Sequence, residues 1–142
     1  MLIGELALLT AAFFTGAASF INFAEQPARL KLDPKALQTQ WVESYKRGFK
    51  LQAPLALVCG LMGLIAFHIS RDWRWTLGAA LILTNMPYSI LMMMPLNRKL
   101  LATSSNSADT EIALAIETWG KLHIVRTLLG ACATAVYLWS LH

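Results

Sequence analysis

Charge is scarce in this sequence, and so are the residues that assemble most soluble active sites. Asp, Glu, Lys and Arg make up 14% of the 142 residues against 56% hydrophobic, too few to cover a soluble domain with polar surface. Only two cysteines occur, Cys59 and Cys132, both inside apolar runs and without a metal-ligating neighbour at short spacing. Free thiols in such runs are expected to be buried and to act as small hydrophobes. The three histidines, His68, His123 and His142, form no cluster, and neither a Cys-x-x-Cys pair nor a Glu-x-x-His motif is present, so a metal enzyme has little support. Glu25 with His123 could hold a single ion only if water or substrate completed its shell. Gly-rich phosphate loops and Gly-x-Ser-x-Gly elbows are also missing, which removes support for nucleotide-driven transport and serine hydrolysis. The formal net charge of +4 comes with no soluble basic domain, so nucleic acid is not an expected partner.

What the chain has in abundance is long apolar runs. Mean hydropathy is +0.51. Leu2 to Ala24, Leu51 to His68, Trp75 to Leu96 and Leu122 to Leu141 are each long enough to cross a core of about 30 Å at about 1.5 Å per residue. The expectation is an all-α integral membrane protein, one up-down bundle of four transmembrane helices over residues 1–142. The first run lacks a basic leader and passes into Asn22, Glu25 and Pro27 without a small-residue cleavage pattern, so it is expected to persist as a mature helix. Of the 12 Lys and Arg, only Arg71 and Arg74 fall on the face of the short central connection. The positive-inside rule then puts the 25–50 and 97–121 connections in the cytoplasm and both termini outside a plasma or inner membrane. Trp73, Trp75 and Trp139 would mark the outer interface, and Trp41 and Trp119 the inner one.

The connections carry helical signals of their own. Asp33-Pro34 reads as an N-cap followed by proline at the first helical position, and Leu37, Trp41, Tyr45 and Phe49 then recur at every fourth residue. This predicts an amphipathic helix leading into the second span, with Gly48 and Pro54 bending or interrupting the join. In the second long connection Ser104-Ser105-Asn106-Ser107 reads as a turn, and Ser107 or Asp109 as the cap of a helix running through Ile112, Ile116 and Trp119 into the last span. Gly60-x-x-Gly63, Gly78-Ala79-Ala80 and Gly130-Ala131-Cys132-Ala133 offer flat faces for close helix packing. Met92-Met93-Met94 reads as adaptable packing rather than a copper ladder.

A faint repeat runs through the chain. Pro27-Ala28-Arg29-Leu30-Lys31-Leu32 parallels Pro95-Leu96-Asn97-Arg98-Lys99-Leu100, and Trp41-x-x-x-Tyr45 parallels Trp119-x-x-x-His123, which would place two similar hairpins about an axis normal to the membrane. The second copy carries His123 and Arg126 where the first carries Tyr45 and Gly48. Trp119, His123 and Arg126 share one helical face at a membrane boundary, where a cation needs a partner, a wet pocket or an escape to the interface. The expected pocket adds Asn22 and Glu25 from the first helix, Gln52 from the second, Asn85, Tyr88, Ser89, Asn97 and Arg98 from the third, and Thr127 from the fourth. Glu25 is the expected partner of Arg126 or of protonated His123, which would tune proton affinity for acid–base work. The plainer reading has Arg29, Arg98, Lys121 and Arg126 snorkelling to lipid phosphates, and Asn85 and Tyr88 joining helices by hydrogen bonds.

The runs Glu25-Gln26-Pro27-Ala28-Arg29-Leu30, Trp41 to Arg47, Pro95-Leu96-Asn97-Arg98-Lys99-Leu100 and Trp119-Gly120-Lys121-Leu122-His123-Ile124-Val125-Arg126-Thr127, in this order at helix ends, resemble the small four-helix membrane proteins related to anthrone oxygenases. The resemblance implies oxidation of an electron-rich polycyclic or quinol-like aromatic by dioxygen as co-substrate, without metal or flavin. It implies His123 as base, Arg126 and Asn97 as stabilisers of a developing oxyanion, Trp119 and Tyr88 as aromatic walls, and Glu25 as the residue that orients His123 or balances Arg126. Asn85, Asn22, Trp41 and Tyr45 complete the expected substrate-binding set. The competing class is a non-enzymatic carrier or a scaffold holding a lipid-like or quinone-like molecule between its hairpins. A chain of 142 residues is short for a monomeric carrier, an objection that homo-oligomerisation relieves. Both readings expect membrane lipid and a hydrophobic aromatic small molecule as partners.

Overall fold

Strong local start and stop signals divide the chain into long helices. Asp33 accepts a hydrogen bond from the Ala36 amide at 3.1 Å and Pro34 occupies the first helical position, the expected cap. Arg71 ends the same helix in the left-handed conformation, and Asp72 then caps the next by accepting from the Arg74 amide and from its guanidinium. Those bonds, the side-chain one first, hold the Asp72 carboxyl below its usual range. The computed structural model describes residues 1–103 and 108–142. Its four helices, α1 (Leu2–Arg29), α2 (Pro34–Ser70), α3 (Trp73–Ala102) and α4 (Asp109–Ser140), are each long and apolar enough to cross a membrane.

The fold is an all-α four-helix bundle. Each helix packs against its neighbours in chain order, α1 closes the ring against α4, and α2 and α4 also touch across the centre. Large apolar side chains such as Phe23, Leu91 and Leu128 stand outside, while Ala7, Ala11, Ala18, Ala56 and Ala133 fill the interior of one half. Small interior and large exterior residues are the arrangement expected where lipid is the solvent and close packing drives association. The glycines act as that pattern predicts: a Cβ at Gly63 would fall on the Tyr137 hydroxyl and one at Gly78 on its ring. Tyr137 fills the space between them and donates to the Cys59 carbonyl at 3.3 Å.

Several expectations need correction. The amphipathic segment and the second span are one 37-residue helix that passes through Gly48 and Pro54 without a break. Proline lacks a donor for only one backbone bond, and neighbouring helices support the backbone at membrane depth. Ala108, not Asp109, is the N-cap of α4, and Asp109 is the first helical residue; the Ser104–Ser107 turn, and Ser107 as a cap, lie outside the described residues. Cys59 is buried, but Cys132 is exposed on the outer face. Two irregularities were not expected: α1 widens into a π-helical turn at Ile21–Glu25 and α3 into another at Ser89–Met93. Each precedes a proline of the repeat, Pro27 or Pro95, at the same spacing.

Two apolar clusters result. One, around Phe14, Trp75, Ile82 and Tyr137, lies toward the end that holds both termini. The other, around Leu37, Trp41, Met93, Leu100, Ile116 and Trp119, lies toward the long connections. Gln52, Asn85, His123 and Thr127 fall between them in sequence along α2, α3 and α4, and Asn22 of α1 joins the same level through its contacts with His123 and Thr127.

Candidate functional site

His123 sits at the centre of this polar layer with 1% of its surface exposed. Its Nδ1 lies 2.9 Å from Asn22 Oδ1, which also accepts from the Thr127 hydroxyl at 2.6 Å, while Asn22 Nδ2 donates to the Gly120 carbonyl at 3.1 Å. A carbonyl only accepts, so the Gly120 contact fixes the orientation of the Asn22 amide and makes its oxygen face His123. Nδ1 must therefore carry a proton, and in the neutral ring Nε2 holds the lone pair. Among the described residues, no group takes a hydrogen bond from or gives one to Nε2.

Aromatic packing holds the ring from the side. His123 lies against Trp119 at 4.9 Å between centroids, Trp119 meets Trp41 edge to face at 5.8 Å, and Trp41 stacks on Tyr45 at 5.0 Å. The two halves of the repeat thus meet through their tryptophans, with Tyr45 on one flank and His123 on the other. Arg126, one turn beyond His123, donates to Gln52 Oε1 at 3.0 Å, and its Nε is buried without a partner among the described residues.

Tyr45, Gln52, Asn97, Trp119, His123 and Arg126 line a small recess, together with Ile21, Ser44, Gly48, Phe49 and Met93. Its free volume of about 20 Å³ suits one water-sized or dioxygen-sized molecule. Asn97 reaches it with Nδ2 placed 3.4 Å from the Tyr45 hydroxyl, leaving Oδ1 without a partner among the described residues. Of the residues that line the recess, Trp119 with Nε1–H and Arg126 with Nε–H hold buried donors that have no partner among the described residues. Across Phe49 and Arg126 lies a second cavity of about 230 Å³, lined by Ala53, Ala56, Asn85, Met86, Ser89, Ile90 and Met94 as well.

The expected single pocket is therefore two cavities, and some expected members are elsewhere. Glu25 meets neither Arg126 nor His123; it pairs with Arg29 at 2.9 Å and accepts from Ser44 at 2.5 Å and Gln40 at 2.9 Å. The i,i+4 spacing of Glu25 and Arg29 across the π turn favours this local pair. Arg29 does not snorkel, being 2% exposed and lying 5.6 Å above the Trp119 ring. Tyr88 uses its hydroxyl on the Leu122 carbonyl at 2.8 Å and lines neither cavity. Asn85 lines the larger cavity only; Asn22 and Trp41 support His123 and Trp119 from behind rather than lining the recess. Arg98 is exposed and closes neither cavity. Among the described residues, no group of three or more His, Cys, Asp and Glu comes together.

Sequence reasoning missed Ser44, Phe49 and Met93 as lining residues. Phe49 was visible as the last member of the Leu37-Trp41-Tyr45-Phe49 ladder, in which Leu37 and Trp41 pack inward against α4 while Phe49 is half exposed at the edge of the recess. Met93 faces inward because the π turn shifts the register after Ser89, and the only trace of that turn in sequence is the proline that follows it.

Comparison with known proteins follows the same residues. A family model described as anthrone oxygenase matches residues 41–136. Among curated relatives, the anthrone oxygenase nsrD of Aspergillus novofumigatus is 26% identical over 133 residues, covering 86% of this chain and 82% of that protein. No solved structure matches.

Proposed function

Because this chain belongs to the anthrone oxygenase family, we propose that it oxidises an electron-rich polycyclic phenol at an activated methylene, using dioxygen and His123 as base. The observation that supports this reading most is the hydrogen bond from His123 Nδ1–H to Asn22, which orients the imidazole and leaves Nε2 free on a ring that lines the recess. Nε2 accepts a proton from the methylene between two aromatic rings, and the negative charge spreads onto the substrate's ring oxygen. Arg126, which lines both the recess and the larger cavity, offers a buried donor for that oxygen.

The carbanion then passes one electron to dioxygen and recombines with the resulting superoxide, forming a C–O bond and a peroxide anion. The imidazolium returns its proton to give a hydroperoxide. Loss of the remaining C–H proton breaks the O–O bond, forms the carbonyl and releases water. One methylene and one dioxygen become one carbonyl and one water; the carbon loses four electrons and the two oxygens gain four, so no external reductant is required. Asn97, whose free atom is an acceptor, suits the hydroperoxide proton better than the oxyanion.

The basic residues support a membrane orientation in which Trp119 and the long connections face the cytoplasm. A cysteine introduced at Lys35 should react with an impermeant reagent only after the membrane is opened; reaction in intact cells contradicts the orientation. For the chemistry, purified protein in lipid nanodiscs is given a hydroxylated anthrone. The wild type should take up one dioxygen per quinone faster than buffer does, and His123→Ala should lower that rate about 10²–10⁴-fold. Uptake at the buffer rate, or an unaffected His123→Ala, overturns the proposal, and flux across liposomes without product supports a carrier instead.

A further inference from the structure

The recess at His123 has the wrong size for a fused ring system, and the residues around the larger cavity supply what it lacks. About 20 Å³ admits a diatomic molecule or a water, whereas about 230 Å³ approaches the scale of small-molecule sites, which are mainly apolar with a few fixed polar groups. The walls of the larger cavity are Phe49, Ala53, Ala56, Met86, Ile90 and Met94, all apolar. Its polar members are unusual in having atoms left over. Asn85 is 2% exposed and gives its Nδ2 to the Ile82 carbonyl at 3.0 Å, so its Oδ1 is the free atom, buried and without a partner among the described residues. Ser89 Oγ and Arg126 Nε are likewise buried without partners among the described residues. Unsatisfied polar atoms in an apolar site cost folding free energy unless a ligand completes them.

We propose that this lateral cavity between α2 and α3 is the substrate chamber. It binds a flat fused aromatic carrying at least one phenolic hydroxyl, which donates to Asn85 Oδ1, while Ser89 and Arg126 meet its oxygen substituents. Dioxygen or its water product takes the recess at His123. The inference rests on the oxygenase reading for the identity of the reaction, but not for the identity of the site. Phe49 and Arg126 are common to both cavities; they form the partition past which the reactive edge of the ring meets His123. The substrate arrives from the hydrocarbon phase. An open groove along Pro54 and Leu57 shares Phe49, Ala53 and Met86 with the chamber, and the side chains at its mouth, Phe49, Met86 and Ile90, are exposed on the flank of the bundle. The π turn that begins at Ser89 serves both spaces, giving Ser89 and Ile90 to the chamber and Met93 to the recess.

The test uses 1,8-dihydroxyanthraquinone, which lacks the oxidisable methylene, titrated by its absorbance against the full-length protein in nanodiscs. Ala53→Phe fills the chamber and should weaken binding about ten-fold or more, and Ser89→Ala and Asn85→Leu about three- to ten-fold each, the range one hydrogen bond supplies. Ala17→Phe, which fills the groove between α1 and α2, should bind as the wild type. Binding unchanged in both Ala53→Phe and Ser89→Ala, loss of binding in Ala17→Phe, or no binding by the wild type overturns the assignment. The two readings fail separately: binding lost in Ala53→Phe with no oxygen uptake by the wild type upholds the chamber and removes the oxygenase. Normal oxygen uptake by Ala53→Phe removes the chamber and upholds the oxygenase.

Discussion

His123 and Asn22 come from opposite ends of the chain and meet through a 2.9 Å hydrogen bond that sets the imidazole tautomer. Asn22 lies in the first π turn, and its other amide contact, to the Gly120 carbonyl, ties α1 to α4 three residues before His123. Asn22→Ala should leave the bundle folded, because Thr127 and Gly120 retain their own helical bonds. It should lower turnover about ten-fold, the scale of one orienting hydrogen bond. Oxygen uptake at saturating substrate, with circular dichroism as the folding control, measures the effect; an unchanged rate would separate Asn22 from the chemistry.

Gly48 offers a way to close the recess without disturbing the core. A Cβ there meets nothing nearer than Ile21 Cδ1 at 4.0 Å. Gly48→Ala should therefore stabilise α2 by roughly 1 kcal/mol through helix propensity, and Gly48→Leu should fold yet lose most activity by filling the recess. Thermal unfolding in detergent and oxygen uptake read the two outcomes, and full activity in a folded Gly48→Leu would show that the recess is not used.

Glu25 is expected to act on stability rather than on proton transfer. Its carboxylate serves Arg29, Ser44 and Gln40, and Arg29 is buried beneath α4 against Trp119. Removing one member of such a pair leaves the other charge uncompensated, typically at a cost of about 3–5 kcal/mol, less here because Glu25 is partly exposed. Glu25→Ala should lower the unfolding temperature while leaving the pH profile of kcat unchanged. A shifted profile would return Glu25 to the proton path.

Tyr137 makes two glycines distinguishable. A Cβ at Gly63 collides first with the tyrosine hydroxyl, one at Gly78 with ring carbons. Gly63→Ala and Gly78→Ala should each destabilise the bundle by about 1–3 kcal/mol, as overpacking does. Adding Tyr137→Phe should relieve the first in part and the second not at all. Equal rescue in thermal unfolding would contradict the packing described.

The bundle was legible because it follows from composition: four apolar runs of spanning length, the Asp33-Pro34 cap and the glycine faces all appear in the structure where the chain predicts them. Trp119, His123 and Arg126 were legible as one helical face, and the two tryptophans that the repeat aligns, Trp41 and Trp119, meet edge to face where a cleft between the halves was expected. What sequence could not supply was register. Two π turns rotate the ends of α1 and α3, turning Glu25 to Arg29 and Met93 toward the recess. A rotation of that kind leaves composition and hydropathy unchanged, so the division of one expected pocket into a recess and a chamber emerges only from three-dimensional packing.

The central claim is that His123 takes a proton from carbon, and hydrogen exchange without dioxygen tests that step alone. Under argon in deuterated buffer, the wild-type protein in nanodiscs should speed the entry of deuterium into the methylene of a hydroxylated anthrone well above the buffer rate, and His123→Ala should return it to that rate. Exchange no faster than buffer with the wild type, or equally fast with His123→Ala, would contradict the account.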